Sequence, residues 1–162
     1  MIRKVGFDPV VDPNTRLLIL GSLPGDASLA AGQYYAHPRN AFWRLVGGVI
    51  DLDLAALPYT ERLEALRAAR IGLWDVIASA ERPGSLDAAI RNPEAADLRR
   101  LVASLPDLKA VAFNGGKAAR LGRAILREVD VTLINLPSSS PAHTKTAAQK
   151  AAVWSTLRAV LE

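Results

Sequence analysis

The chain has 162 residues, half of them apolar, a formal net charge of +4 and no cysteine. That length suits one domain with a substantial core, and the missing cysteines exclude disulfides, cysteine-ligated zinc and iron–sulfur clusters. The positive charge permits a polyanionic partner without requiring one, because an alanine- and arginine-rich composition raises the pI by itself. The segment "MIRKVGFDPVVDPN" does not resemble a signal peptide and no run of about 18 uncharged residues occurs, so a cytoplasmic protein without a membrane segment is expected.

Strands and helices alternate along the sequence. The run "RLLIL" (16–20) is continuously apolar and ends at Gly21, which is typical of a strand buried on both faces. The later predicted elements are a helix in "AFWRLVGGVI" (41–50), a helix in "TERLEALRAAR" (60–70), a strand in "IGLWDVI" (71–77), a helix in "PEAADLRRLVASL" (93–105), a strand in "KAVAFN" (109–114), a helix in "GGKAARLGRAIL" (115–126), a strand in "VTLINL" (131–136) and a closing helix with Val153, Leu157, Val160 and Leu161 on one face. This alternation predicts a single α/β domain over residues 1–162, with three α/β/α layers and a short, mainly parallel central sheet.

Polar and glycine-rich segments follow three of the predicted strands. They read "GSLPG", "NGGK" and "LPSSSPA". Ligands of parallel α/β sheets bind beyond the carboxyl ends of the strands, so these segments are expected to meet at one rim and form a site.

Familiar enzyme motifs are absent from these segments. The segment "GSLPGD" lacks the Gly-Lys-Ser/Thr ending of a phosphate-binding loop, and neither G-x-G-x-x-G nor the serine-hydrolase pattern G-x-S-x-G occurs. Ser138–Ser140 near His143 suggest a nucleophile and a base. A serine- and proline-rich loop before a helix is more often a turn with a helix cap, and that interpretation is favoured.

The segment "AGQYYAHPRNAFW" (31–43) concentrates aromatic rings beside Arg39 and Asn40. Together with "GSLPG" and "LPSSSPAHT" it resembles the two active-site motifs of the uracil-DNA glycosylase superfamily, above all its hypoxanthine-DNA (deoxyinosine) glycosylase branch, which is related to the mismatch-specific uracil-DNA glycosylases. In the mismatch-specific branch an asparagine of G-x-N-P-G positions the attacking water, whereas Leu23 stands there in this chain. The hypoxanthine branch instead places its catalytic asparagine on Asn40.

The resemblance implies a uracil-DNA glycosylase-like fold and a monofunctional glycosylase that needs no metal or cofactor. Its implied partner is DNA containing deaminated bases, with hypoxanthine the foremost substrate and uracil a second one, and the enzyme is expected to be a monomer. Because Leu23 removes one known catalytic amide, a non-catalytic module that binds damaged DNA is the alternative.

Implied catalytic residues are Asn40 and Ser138, and the implied base-binding residues are Tyr35, Gly21, Ser22, Leu23 and Asn114. Tyr35 is the expected platform for an extruded base, since a flat aromatic face replaces lost stacking. An asparagine before a predicted helix is also a good N-cap, and an Asn-Gly pair at a strand end is usually a turn, so Asn40 and Asn114 each keep a structural alternative. The plainer role of the other rings is to anchor the loop in the core; these are Tyr34, Phe42 and Trp43. His37 is as well suited to holding the loop by a hydrogen bond as to touching substrate.

The DNA backbone requires donors and positive charge. The glycine amides of "NGGK" with Lys117, and the hydroxyls and amides of "SSSPAHTK", suit phosphate groups. The candidate DNA-binding residues are Arg39, Lys117, Ser139, Ser140, His143 and Lys145. In the superfamily the second-motif loop enters the minor groove, where Ser139, Ser140 and Ala142 would fit and His143 would act as a wedge. Arg39 has the alternative of being a solvated surface arginine.

Overall fold

The computed structural model describes residues 2–162. Its strands are β1 (Arg3–Val5), β2 (Leu17–Gly21), β3 (Ile71–Asp75), β4 (Ile77–Glu81), β5 (Arg91–Ala95), β6 (Ala110–Asn114) and β7 (Thr132–Leu136). Its α-helices are α1 (Asp26–Ala31), α2 (Phe42–Ile50), α3 (Tyr59–Ala68), α4 (Leu98–Ala103), α5 (Gly116–Ile125), α6 (Ala147–Trp154) and α7 (Arg158–Leu161). Single 3-10 turns cover Leu54–Ala56, Asp87–Ala89 and Ser155–Leu157.

The central sheet is parallel and has the strand order β3-β2-β6-β7. Successive side chains of a strand point to opposite faces. Leu17 and Ile19 enter one core, Leu18 and Leu20 enter the other, and all four are fully buried. Burial on both faces explains why this strand reads as an unbroken apolar run, and it confirms the predicted three-layer α/β fold.

Helices cover both faces of the sheet. The rings of Phe42 from α2 and Trp154 from α6 fill the core on one side and meet edge to face, with centroids 5.9 Å apart. On the other side α5 lies directly against β6, where a Cβ on Gly122 would collide with the Phe113 ring. Overpacking of that kind typically costs about 1–3 kcal/mol, so a glycine is required at this crossing.

A small antiparallel sheet of order β1-β4-β5 extends the structure and corrects two predictions. The predicted strand 71–77 is two strands, because the chain leaves the central sheet at Val76 and then pairs with β1. The predicted helix 93–105 is shorter: residues 91–95 form the exposed edge strand β5, and α4 begins only after Asp97, whose side chain caps it. Pairing of this segment with β4 explains the difference, and Pro93 is tolerated because β5 is an edge strand.

The closing helix is also interrupted. It runs from Ala147 to Trp154, tightens into the 3-10 turn and resumes as α7. Val153, expected on the apolar face, is 37% exposed, whereas Trp154 and Leu157 are fully buried. Within residues 2–162, no helix combines the length and the apolar character needed to cross a bilayer.

Candidate active site

The carboxyl ends of the central strands form one rim. Gly21 at the end of β2 pairs in register with Asp75 at the end of β3, and Asn114 ends β6 on the other side of β2. The loop after β7 brings Ser139 to the same place, where it contacts Asn114. The predicted convergence of the segments that follow strands is therefore present in the fold.

Ser139 connects three parts of this rim. Its N–H donates to Asn114 Oδ1 and its hydroxyl accepts from Asn114 Nδ2, both at 2.8 Å. Its carbonyl accepts from the N–H of Ala41 at 3.0 Å, which fixes the aromatic segment to the loop after β7. Ser139 is only 1% exposed, so the expectation that its side chain enters the minor groove is corrected: the hydroxyl is buried and orients Asn114.

Tyr35 stands over this rim in a left-handed backbone conformation, with φ of +54°. Its ring stacks on Phe42 with centroids 3.9 Å apart and planes inclined by 8°. Its hydroxyl is buried without a hydrogen-bond partner. A Cβ on Gly21 would lie only 2.9 Å from that hydroxyl, so the close approach of Tyr35 requires a glycine at this position. Burial and the charge of Asp75 raise the pKa of Tyr35 and the neighbouring Asn114 amide opposes the rise, so the phenol stays neutral.

Asn40 precedes α2 and holds its first turn. Its Oδ1 accepts from the N–H of Phe42 at 3.0 Å, and its own N–H donates to the His37 carbonyl at 2.9 Å. The cap position itself is Ala41, which has no side-chain hydrogen bond. Asn40 thus has the kind of contact that the capping alternative requires, and the contact also fixes the orientation of its amide. His37 holds the loop as well, since its Nδ1 accepts from the N–H of Arg39 at 3.1 Å.

The other aromatic residues of the segment belong to the core. Tyr34, Phe42 and Trp43 are each at most 4% exposed. The Tyr34 hydroxyl donates to the Asp8 carbonyl at 2.9 Å. The anchoring role predicted for these three side chains is confirmed by their burial.

The loop after β2 is held by a buried arginine. Arg82, 1% exposed, donates to the carbonyls of Leu23 and Pro24 at 3.4 and 2.5 Å and lies 3.8 Å from Asp87. Asp87 also accepts from the Ser22 hydroxyl at 2.6 Å. The Leu23 side chain packs in the core. The Ser22 hydroxyl is therefore engaged with Asp87 and the Leu23 side chain is buried, and the base-binding roles expected of these two residues stay predictions.

The loop after β7 is a network of turns. The Ser138 hydroxyl accepts from the N–H of Ser140 at 3.1 Å, which agrees with the turn interpretation of this serine. The Ser140 carbonyl accepts from Lys150 Nζ at 3.1 Å, and Trp154 Nε1 donates to the Pro137 carbonyl at 2.9 Å. These two hydrogen bonds from α6 therefore fix the loop.

The cationic candidates lie around the rim. Arg39 and Lys145 are exposed, and the partly buried Lys117 lies in the first turn of α5. None of the three takes part in an ion pair within residues 2–162. Burial, then the charges of Lys150 and Lys145, lower the pKa of His143, so its imidazole is neutral near pH 7. The structure thus leaves three cations free to meet phosphates.

Asp75 is a rim residue that the sequence analysis did not identify. It is 5% exposed and its Oδ2 is buried without a hydrogen-bond partner. Its sequence signal was weak: one acidic residue follows the apolar run "IGLW" at the predicted rim. No sequence pattern indicated a role for Arg82, Asp87 or Lys150, because their roles depend on contacts with distant loops.

The comparisons with known proteins agree with this geometry. The model of the uracil DNA glycosylase superfamily matches residues 9–158. A protein named hypoxanthine DNA glycosylase from Methanosarcina barkeri (strain Fusaro / DSM 804) is 44% identical over 94% of this chain and 96% of its own length. A protein of the same name from Methanosarcina acetivorans is 42% identical over 93% of this chain and 95% of its own. The solution NMR structure of a candidate uracil DNA glycosylase from Methanosarcina acetivorans superposes with a TM-score of 0.89 at 40% identity, covering 99% of this chain and 100% of that one. The chain belongs to the uracil DNA glycosylase superfamily.

Proposed function

We propose that the protein is a monofunctional DNA glycosylase that removes deaminated bases, hypoxanthine foremost and uracil second, and thereby starts base excision repair. One structural observation carries the proposal. The hydrogen bond between Ala41 and the Ser139 carbonyl joins the segment of Tyr35 and Asn40 to the loop beside Asn114 at a single rim. The names of the relatives at 44% and 42% identity supply the preferred base.

Tyr35 is proposed to receive the extruded base. An enzyme that acts on a base within a duplex must take it out of the stack. One face of the Tyr35 ring is already held by Phe42, so the ring forms a rigid platform whose other face replaces the lost stacking. Such a contact is worth roughly 1–3 kcal/mol per base.

Asn114 is proposed to contact the edge of that base. Its two hydrogen bonds to Ser139 leave one N–H and one oxygen lone pair for a ligand. Because both bonds are short and buried, the amide is oriented before the base arrives. Preorganisation of this kind lowers the entropic cost of binding.

Asn40 is proposed to hold the attacking water. When the glycosidic bond of inosine breaks, its electron pair leaves with N9 of the purine and the sugar becomes oxocarbenium-like. The water oxygen then bonds to C1′ and releases a proton to solvent, while the departing purine anion takes up a proton from solvent, giving free hypoxanthine and an abasic site. An amide cannot take that proton near neutral pH, so Asn40 acts by orienting the water and stabilising charge.

The positive side chains around the rim are proposed to bind the DNA backbone. Arg39, Lys117 and Lys145 suit phosphates, while Ser138, Ser140 and His143 line the loop that would approach the flipped nucleotide. The enzyme is proposed to work as a monomer on chromosomal DNA. No metal or cofactor enters the proposed mechanism.

Incubation with labelled duplexes tests the activity. Duplexes carrying a single inosine or uracil are mixed with excess protein, abasic sites are cleaved with alkali, and the products are separated by size. We expect strand scission of the inosine duplex, slower scission of the uracil duplex and none of an undamaged control. Binding of the inosine duplex without scission would favour the non-catalytic alternative, for which the replacement of a catalytic amide by the buried Leu23 is the supporting observation.

A further inference from the structure

Lys150 has an unusual position for a lysine. It lies near the start of α6 and is only 5% exposed. No carboxylate forms an ion pair with it within residues 2–162. Lysine is almost never fully buried without a partner, because burial removes the water that stabilises its charge. The mechanism proposed above leaves this ammonium group unused.

Hydrogen bonding within the loop after β7 does not explain why this lysine is buried. Lys150 Nζ donates to the Ser140 carbonyl at 3.1 Å. The same carbonyl also accepts from the N–H of His143 at 3.1 Å, so it would keep a partner without the lysine. An ammonium group has three N–H donors, and Ser140 takes one of them. The side chain therefore has donors left for an acceptor that residues 2–162 do not supply.

The electrostatic surroundings of Lys150 favour a negative ligand. Burial lowers the pKa of Lys150, and no negative side chain opposes that effect. Burial, followed by the charges of Lys150 and Lys145, lowers the pKa of His143, so two cations lie near this histidine. An anion bound at the loop would compensate both positive charges at once.

The hydroxyls of this loop can donate to the same ligand. Ser138 Oγ accepts from the N–H of Ser140 at 3.1 Å, and Ser140 Oγ accepts from the N–H of Ala142 at 3.2 Å. Each hydroxyl keeps its own O–H for an external acceptor. A phosphate diester combines a negative charge with oxygens that accept several hydrogen bonds, so it suits an ammonium group beneath a loop that carries two hydroxyls.

We propose that Lys150 is a phosphate-binding residue and that its missing counter-ion is a backbone phosphate of bound DNA, held against the loop after β7. This inference rests on the proposed glycosylase function and assigns to its DNA contacts a cation that surface exposure does not reveal. The hydrogen bond to Ser140 fixes the ammonium group before DNA arrives, which lowers the entropic cost of the contact. Its shielding from water strengthens the attraction for the phosphate.

The first test removes the charge and keeps the packing. Lys150→Met places an unbranched apolar side chain in a buried position, so the fold should be retained, as thermal unfolding would show. Binding is measured on a duplex carrying 2′-fluoro-deoxyinosine, whose glycosidic bond resists hydrolysis. Affinity should fall by about tenfold at low salt, and the slope of log affinity against log salt should decrease by about one. Lys109→Met, at the opposite edge of the sheet, should change neither quantity.

The second test follows Lys150 in the unaltered protein. NMR titration of the lysine Cε resonances gives its pKa with and without the same duplex, and the spectrum of Lys150→Met assigns the resonance. A neighbouring phosphate favours the charged ammonium, so the pKa should rise when DNA binds. Inorganic phosphate at the same phosphate concentration should leave the pKa unchanged, because it lacks the rest of the DNA backbone that holds the group in place.

The outcomes separate the possible failures. A folded Lys150→Met protein with an unchanged salt slope would overturn the proposal, even with a lower affinity, because the lysine charge would then not meet a phosphate. A Lys150 pKa that DNA does not raise, or that inorganic phosphate raises equally, would overturn it too. If Lys150→Met does not fold, the pKa of the unaltered protein decides. Unaltered protein that shows the expected pKa rise but does not cleave inosine DNA would instead contradict the glycosylase function.

Discussion

The rings of Tyr35 and Phe42 lie face to face, with planes inclined by 8° and centroids 3.9 Å apart. Aromatic pairs more often pack offset or edge to face, so this stack is held by its surroundings. Phe42 begins α2, and Tyr35 occupies the left-handed region that non-glycine residues rarely adopt. The proposed platform therefore consists of two stacked rings, of which the Phe42 ring belongs to the core.

Substitution of Tyr35 tests the platform. Tyr35→Phe keeps both rings and removes a hydroxyl that has no protein partner, so it should retain most of the cleavage rate. Tyr35→Ala loses the stacking face, and affinity for inosine DNA should fall by roughly 5- to 100-fold with a loss of turnover. Fluorescence anisotropy and single-turnover cleavage measure the two effects. Equal damage from the two substitutions would show that the hydroxyl, and not the ring face, matters.

Substitution of Asn40 separates catalysis from helix capping. Asn40→Ala should lower the cleavage rate by orders of magnitude with little change in DNA affinity, and should cost about 1 kcal/mol of stability through the lost bond to Phe42. Asn40→Asp keeps an acceptor for that bond and should preserve the fold. Its rate or pH dependence should nevertheless change, because a titratable carboxylate would then face the water. Near-normal cleavage by a folded Asn40→Ala protein would remove Asn40 from the mechanism.

Salt dependence tests the phosphate contacts. If Arg39, Lys117 and Lys145 each neutralise a phosphate, the logarithm of affinity should fall linearly with the logarithm of salt concentration. Removing one charge should reduce that slope by about one. Lys109→Ala offers a control, because this exposed lysine lies before β6, at the edge of the sheet opposite the rim. Affinity independent of salt would contradict the assignment of all three cations.

Folding stability should depend on pH through Asp75. The ordinary pKa of an aspartate is 3.8, whereas that of Asp75 is raised to about 7 by burial and by Asp87. Between these values the folded protein keeps the proton and the unfolded chain releases it. The free energy of unfolding should therefore fall as pH rises across this window, by about 1–4 kcal/mol, and level off above it. Urea unfolding at a series of pH values measures the trend, and Asp75→Asn should flatten it. A variant with an unchanged trend would show that Asp75 titrates normally.

The sequence allowed the layers and the rim to be predicted because those features follow from local patterns. The apolar run of β2 predicts burial on both faces, and the polar residues after it mark the edge where ligands bind. The family and the fold implied by "QYYAHPRNAFW" and "LPSSSPAHT" are confirmed by the superfamily match and the solved structure. The roles proposed for Asn40 and Tyr35 stay predictions.

The remaining features depend on contacts between distant residues. The sequence did not indicate that Asp75 lies beside Gly21 and Tyr35, because these residues are far from it along the chain. Ser139 was expected to contact DNA from an exposed loop, whereas its side chain is buried and hydrogen-bonds to Asn114. The strand β5 was mistaken for part of a helix because its pairing partner is β4, and local propensity carries no information about that pairing.

Ser139 joins the aromatic segment to Asn114, so the rim cannot be complete until this residue has been synthesised. Ser139 is synthesised after Tyr35, Asn40 and Asn114, and Lys150 and Trp154, whose contacts fix its loop, come later still. A nascent chain released before these residues has Tyr35 and Asn40 but nothing to hold Asn114 in place. Truncated translation products would therefore lack the preorganised Asn114 amide.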